Sequence, residues 1–124
     1  MITSDVATAW AERYFSAWKT NDAAEVESLF SENAVYFYGP FRPPARGREE
    51  IVRRWTQAAK QTNVQSEYEL VAVDGDTAVI RWNVSFDQSG SHIILDGVLI
   101  VRFDERGLCR EHREWYGERV IPVE

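Results

Sequence analysis

From Val64 onward the chain is four strand-like runs, "VQSEYELVAV", "TAVIRWNVSF", "SHIILDGVLIVRF" and "LCREHREWY", separated by "DGD", "DQSG" and "DERG". Each run is rich in β-branched and aromatic residues, and each separator carries the glycine that a tight turn favours, so the economical arrangement is an antiparallel meander. A meander has a face that needs covering, and the cover must come from the residues before it. There the pattern is helical, with a single early strand. Helices and sheet are therefore segregated along the chain, which is the α+β class.

Val6, Trp10, Tyr14 and Trp18 recur every four residues, with Ala9 and Ala17 widening the stripe, so Ser4 to about Lys19 reads as an amphipathic helix capped by Thr3 or Ser4. "TNDAAEVESLF" restarts the pattern, with Asp22 and Glu25 as a capping-box-like start and Val26, Leu29 and Phe30 as its buried stripe. "AVYFY" is a short strand that sets Tyr36 and Tyr38 on one face and runs into the loop "GPFRPPARG". "REEIVRRWTQAAK" is a third helix, buried through Ile51, Trp55 and Ala58 or Ala59, with Arg48, Glu49, Arg53, Arg54 and Lys60 toward solvent. A chain of 124 residues fits one domain, residues 1–124.

The net charge of −6 argues against a nucleic-acid partner, which would require a basic face. No run is long enough to span a membrane, and "MITSDVATAW" lacks a signal-peptide pattern, so a cytoplasmic location is expected. Cys109 is the lone cysteine, which excludes an internal disulfide. His92 and His112, the two histidines, fall on different strands with no carboxylates at ligand spacing, so no metal is expected. Gly47-Arg48 is too slight a signal for a phosphate loop, and no cofactor is expected. A small, mostly apolar molecule is the expected partner.

The strings "AWKTNDAAEVESLFSENAVYFYGP", "GREEIVRRW", "VDGDTAVIRW" and "DGVLIVRFDERG" resemble, in order and spacing, the SnoaL-like branch of the nuclear transport factor 2-like superfamily, over nearly the whole chain. The resemblance implies a cone in which a curved antiparallel sheet wraps around three N-terminal helices and leaves an internal pocket open at one end. The ketosteroid isomerases of that superfamily allow a comparison of residues. Their oxyanion-hole tyrosine follows an arginine on the first helix, which "ERYF" matches at Tyr14. The position of their general-base aspartate falls on or near Tyr38, and that of their second, protonated aspartate on Leu99. Steroid isomerisation by the two-aspartate route is therefore not expected. Limonene epoxide hydrolase, another relative by resemblance, implies an Asp–Arg–Asp set that the inward positions here lack.

The same comparison assigns faces: Leu95, Gly97, Leu99 and Val101 inward with Ile80, Trp82, Val84 and Phe86, and on the final strand His112, Glu114 and Tyr116. His112 and Glu114, two apart on one strand face, are close enough to act as a unit. Burial would lower the pKa of His112 and raise that of Glu114, while their attraction opposes both shifts. The expected roles are His112 moving a proton, Glu114 orienting it or acting in its place, and Tyr14 or Tyr38 hydrogen-bonding an oxygen that gains negative charge. Trp18, Tyr36, Tyr38, Trp55, Trp82, Leu99 and Tyr116 would wall the substrate. This describes an acid–base enzyme of the isomerase, cyclase or dehydratase kind, with a non-catalytic hydrophobic-ligand or dimerisation module as the alternative. Arg42 and Arg46 could attract a carboxylate at the mouth, although loop arginines are usually just solvated. Outward-facing Ile94, Val98 and Ile100 predict a homodimer through the outer sheet face, with Asp96 and Arg102 flanking the stripe and Asp96 paired to Arg81 or Arg110.

Overall fold

Thr3 starts the first helix by accepting a hydrogen bond from the Val6 backbone N–H, and α1 runs Ser4–Thr20. It ends at Asn21, whose left-handed backbone (φ 54°) lets its N–H reach the Ala17 carbonyl. Asp22 then caps α2, Ala23–Glu27, by accepting from the N–H groups of Ala24 and Glu25. The reciprocal half of a capping box does not form, because the Glu25 carboxylate is taken by the Thr20 hydroxyl at 2.9 Å. The third helix, α3, spans Arg48–Thr56 and is shorter than the sequence pattern implies. Its apolar stripe reaches Trp55, and Gln57 and Ala58 are exposed, so neither gains burial by staying helical. The computed structural model describes residues 1–58 and 60–123; Ala59, the other candidate for that stripe, lies outside them.

Six strands follow from the remaining sequence: β1 Phe30–Phe37, β2 Ala45–Arg46, β3 Thr62–Asp74, β4 Thr77–Gln88, β5 Ser91–Phe103 and β6 Cys109–Pro122. They form one sheet in the order β2-β1-β6-β5-β4-β3. The meander of β3 to β6 is antiparallel throughout, as the turn signals imply. Two features are not legible locally. β1 joins β6 in parallel, with Tyr36 opposite His112, and the two-residue β2 folds the proline-rich loop back onto Val35 and Tyr36. The sheet is curved and unclosed, dominated by antiparallel pairs, and the fold is α+β with three helices on its concave side.

The face assignments follow from burial. Ile80, Trp82, Val84, Phe86, Leu95, Leu99 and Val101 are buried on the inner side, while Arg81, Asp96 and Arg102 are exposed on the outer. On α1 the buried line is Ala7, Trp10, Ala11, Tyr14, Phe15 and Ala17. Val6 departs from the expected stripe and is exposed, because Ala7 rather than Val6 continues the line through Trp10 and Tyr14. The Trp10 indole N–H donates to the Leu29 carbonyl at 3.0 Å, tying α1 to the turn that enters β1. Gly97 pairs with Tyr116 across β5 and β6, and a Cβ there would lie 2.1 Å from the Trp115 carbonyl oxygen. On either side of Gly97 in the register stand Trp82 and Tyr116, whose rings lean together at 6.0 Å across the gap.

Candidate functional site

The open end of the cone holds a cavity of about 840 Å³ between the C-terminal half of α1, the end of α3, the β1–β2 loop and the inner faces of β4 to β6. Six residues singled out from the sequence line it: Trp18, Tyr36, Tyr38, Trp55, Glu114 and Tyr116. Phe86 and Leu95 extend the apolar wall, and Lys19, Arg42, Arg54, Lys60 and Glu118 bring charge. Trp18 is fixed from behind by its indole N–H, which donates to the Gln61 side-chain oxygen at 2.7 Å.

Tyr14, Trp82, Leu99 and His112 do not reach this surface. They are buried at 0–1% exposure and back the lining residues. The consequence is largest for His112, which is expected from the sequence to move a proton. Its ring stacks on Tyr36 at 3.9 Å between centroids and on Tyr14 at 5.3 Å. Neither ring nitrogen has a hydrogen-bond partner among the described residues. Burial holds its pKa down at about 3, so the ring is neutral at physiological pH. Its Nδ1 stands 3.9 Å from Glu114 Oε1, too far for a hydrogen bond, and with the ring neutral the contact is not an ion pair.

Glu114 is the group that meets both conditions for proton chemistry, lining the cavity and titrating near neutrality. Burial pushes its carboxyl up to about 7, against the opposing pull of a hydrogen bond from Tyr36 and of the Arg42 charge. The Tyr36 hydroxyl donates to Glu114 Oε1 at 2.6 Å, and the Tyr14 hydroxyl lies 2.8 Å from that of Tyr36. Since Tyr36 has one proton and gives it to the ionised carboxylate, Tyr14 is the donor to Tyr36. Burial raises the pKa of both Tyr14 and Tyr36 well above the usual phenol range, so these two hydroxyls keep their protons while Glu114 titrates. Tyr38 is pushed up to about 12, again chiefly by burial, and its buried hydroxyl has no partner among the described residues.

Tyr36 is the residue whose part the sequence underrates, since its pattern marks a pocket wall and says nothing of the carboxylate it serves. The signal is long-range: β1 and β6 meet in parallel, 78 positions separating Tyr36 from Glu114. The position of the isomerases' protonated aspartate, Leu99, is the register partner of Glu114 across β5 and β6. An acid absent from one strand is thus present on its neighbour. On the mouth loop, Arg42 reaches the cavity and Arg46 does not line it.

Residues 11–112 match the family model described as the SnoaL-like domain. The chain belongs to the SnoaL-like domain family. A search of curated proteins gives no match. Among solved structures, RV0760c from Mycobacterium tuberculosis superposes with a TM-score of 0.81 at 14% identity, over 97% of this chain and 99% of that one. An LEH-like epoxide hydrolase from M. tuberculosis superposes with a TM-score of 0.72 at 15% identity, covering 91% of this chain and 84% of its own. At such identities the likeness is one of fold. Among the described residues of this SnoaL-like domain the buried charged or polar side chains are His112 and Glu114, with no aspartate or arginine buried beside them. No helix among those residues is long and apolar enough to cross a membrane, and no group of three or more His, Cys, Asp or Glu is placed to hold a metal ion.

Proposed function

We propose that this SnoaL-like domain binds a small, mostly apolar molecule in the cone and moves a proton on it, as an isomerase, cyclase or dehydratase does, with Glu114 as the acid–base group. The observation that carries this reading is the Tyr14–Tyr36–Glu114 hydrogen-bond chain, which ends on a carboxyl titrating at about 7 in a cavity wall. A pKa near the working pH leaves a useful fraction of both protonation states, the condition under which one carboxyl can take a proton and return it. In the simplest step the Glu114 carboxylate removes a proton from carbon beside a carbonyl. The C–H electron pair moves toward the carbonyl oxygen, and a tyrosine hydroxyl at the cavity donates a hydrogen bond to that oxygen. Tyr38 is suited to that donation, since its hydroxyl is unpartnered and stays protonated. Return of the proton at another carbon completes an isomerisation with atoms conserved. Tyr14, buried behind Tyr36, acts as a positioning residue, and His112 is an apolar-like support for the Tyr36 ring.

The rival reading, a binding module without chemistry, calls for an acid at the rim and apolar groups at the bottom. The buried, hydrogen-bonded position of Glu114 favours catalysis over it. A ¹³C NMR titration of labelled Glu114 carboxyl tests the reading: a midpoint near 7 supports it, and a midpoint in the ordinary range near 4.5 would end it. Once a ligand is identified by native mass spectrometry of the purified protein, Glu114→Gln should leave its affinity within a few-fold and reduce turnover about 10²- to 10⁴-fold.

The outer sheet face is proposed as the contact with a second copy of the chain. Ile94, Val98 and Ile100 form a half-buried stripe on a central strand, and Trp115, in register with Val98, is 42% exposed beside it. Asp96 is already held within the chain by Arg81 at 2.7 Å, and Arg110 is taken by Asp76 at 2.6 Å. An Asp96–Arg102 pair across the axis would therefore compete with Arg81, and the apolar stripe with Trp115 is what drives the contact.

A further inference from the structure

The chain carries 20 acidic and 14 basic side chains, yet the charges around the cavity are reversed: Lys19, Arg42, Arg54 and Lys60 against Glu114 and Glu118. With Glu114 half protonated near neutral pH, the mouth is a cationic spot on an anionic molecule. Arg54 is largely committed, its guanidinium bonded to Glu50 at 2.9 Å and to the Pro43 carbonyl at 3.1 Å. Arg42 is not. It lies over the Tyr38 ring at 5.6 Å and touches the Tyr116 hydroxyl at 3.4 Å, and no carboxylate among the described residues is within ion-pair distance of it. A guanidinium oriented by an aromatic face and held by no carboxylate is a receptor for a planar anion.

We propose that the ligand is an amphipathic carboxylate, its apolar body seated among Trp18, Trp55, Phe86 and Leu95 and its anionic end held at the mouth by Arg42. This rests on the reading of the cavity as the reaction site and adds the class of substrate. Geometry also limits where the chemistry falls. Arg42 meets β6 at Tyr116, and Glu114 is the next inward residue, about 7 Å along the strand. The carbon that exchanges its proton is therefore within a few bonds of the carboxylate. Glu118, the inward residue on the other side of Tyr116, repels an anion displaced in that direction and helps fix the register.

The experiment is isothermal titration calorimetry with 2-naphthylacetate and its uncharged analogue 2-naphthylacetamide, which share a body and differ in charge. The carboxylate should bind about tenfold or more tightly than the amide, and Arg42→Gln should abolish the difference while leaving amide affinity unchanged. Arg42 is exposed, so the variant should fold, and its circular dichroism should match the parent. Equal affinity for the two compounds, or a carboxylate preference that survives Arg42→Gln, would overturn the proposal. Binding of neither compound would overturn it too, by removing the apolar seat. The acid–base reading stands or falls separately, on the Glu114 titration: an ordinary Glu114 midpoint together with a preserved carboxylate preference would leave an anion-binding module without chemistry.

Discussion

The imidazole of His112 lies face to face with the phenol of Tyr36, 3.9 Å between centroids and 11° from parallel, across the parallel seam where the two residues are register partners. The stack sets the Tyr36 hydroxyl against Glu114, and it does so with a ring that makes no hydrogen bond of its own among the described residues.

Stability should depend on pH in a way that exposes both buried groups. His112 has its pKa lowered from 6.5 to about 3 on folding, so as pH falls below 6.5 the unfolded chain takes up a proton that the folded one refuses, and stability is lost. Glu114 has its pKa raised from 4.5 to about 7, so its contribution is fully present below 4.5 and is lost as pH rises toward 7. Between 4.5 and 6.5 the two slopes oppose each other, each about 1.4 kcal/mol per pH unit, and their sum is nearly flat. His112→Phe, which keeps the stack, should remove one slope and give a protein whose stability climbs as pH falls from 7 to 4.5. Urea denaturation at half-unit pH intervals reads this directly; a variant whose profile parallels the parent's would mean that His112 titrates normally.

Tyr36→Phe removes the hydrogen bond that holds the Glu114 pKa down, so the carboxyl should titrate above 7 and spend more of its time protonated. The Tyr14 hydroxyl is left buried without its partner, at a cost of about 1–3 kcal/mol. Carboxyl ¹³C shifts give the first effect and chemical denaturation the second. A downward shift of the midpoint would contradict the assigned direction of the Tyr36–Glu114 bond.

Gly97→Ala should destabilise by about 3 kcal/mol, because the added methyl runs into the Trp115 carbonyl and the Tyr116 backbone rather than into a side chain that could swing away. Thermal unfolding measures it. A change under about 0.5 kcal/mol would mean that β5 and β6 separate more easily than their pairing implies.

Light scattering at micromolar concentration should give the mass of two chains, and Val98→Lys or Ile100→Lys should give one, because a cation buried at that contact has no counterion. A monomeric parent protein would remove the outer face as an interface.

The elements that the sequence discloses are those whose rules are local. Thr3 and Asp22 mark helix starts by their own hydrogen bonds, and the glycines between strands mark the meander. Along β5, whose two faces are both apolar, parity becomes an assignment only once the family comparison sets Leu99 inward, which puts Asp96 outward. The end of α3 is missed because the pattern of "TQAAK" is helix-compatible, while Gln57 and Ala58 are exposed and give the helix no burial to continue for. For the site, Glu114 and most of the cavity wall are legible from strand parity. His112 shares that parity and is still excluded from the cavity, since parity gives a face and not a depth: Tyr36, brought from β1, covers it. No local pattern reports which ring lies over which.

The parallel seam between β1 and β6 also makes the site a record of completed folding. Tyr36 is placed by the first long strand and Glu114 by the last, with the whole meander between them in the chain. Closing such a distant pair costs more chain entropy than closing a local hairpin. A partly assembled chain, with its hairpins intact and β1 unpaired, would leave Glu114 in water at its ordinary pKa and without its tyrosine. The raised carboxyl pKa of Glu114 is therefore a property of the whole chain and not of β6 alone.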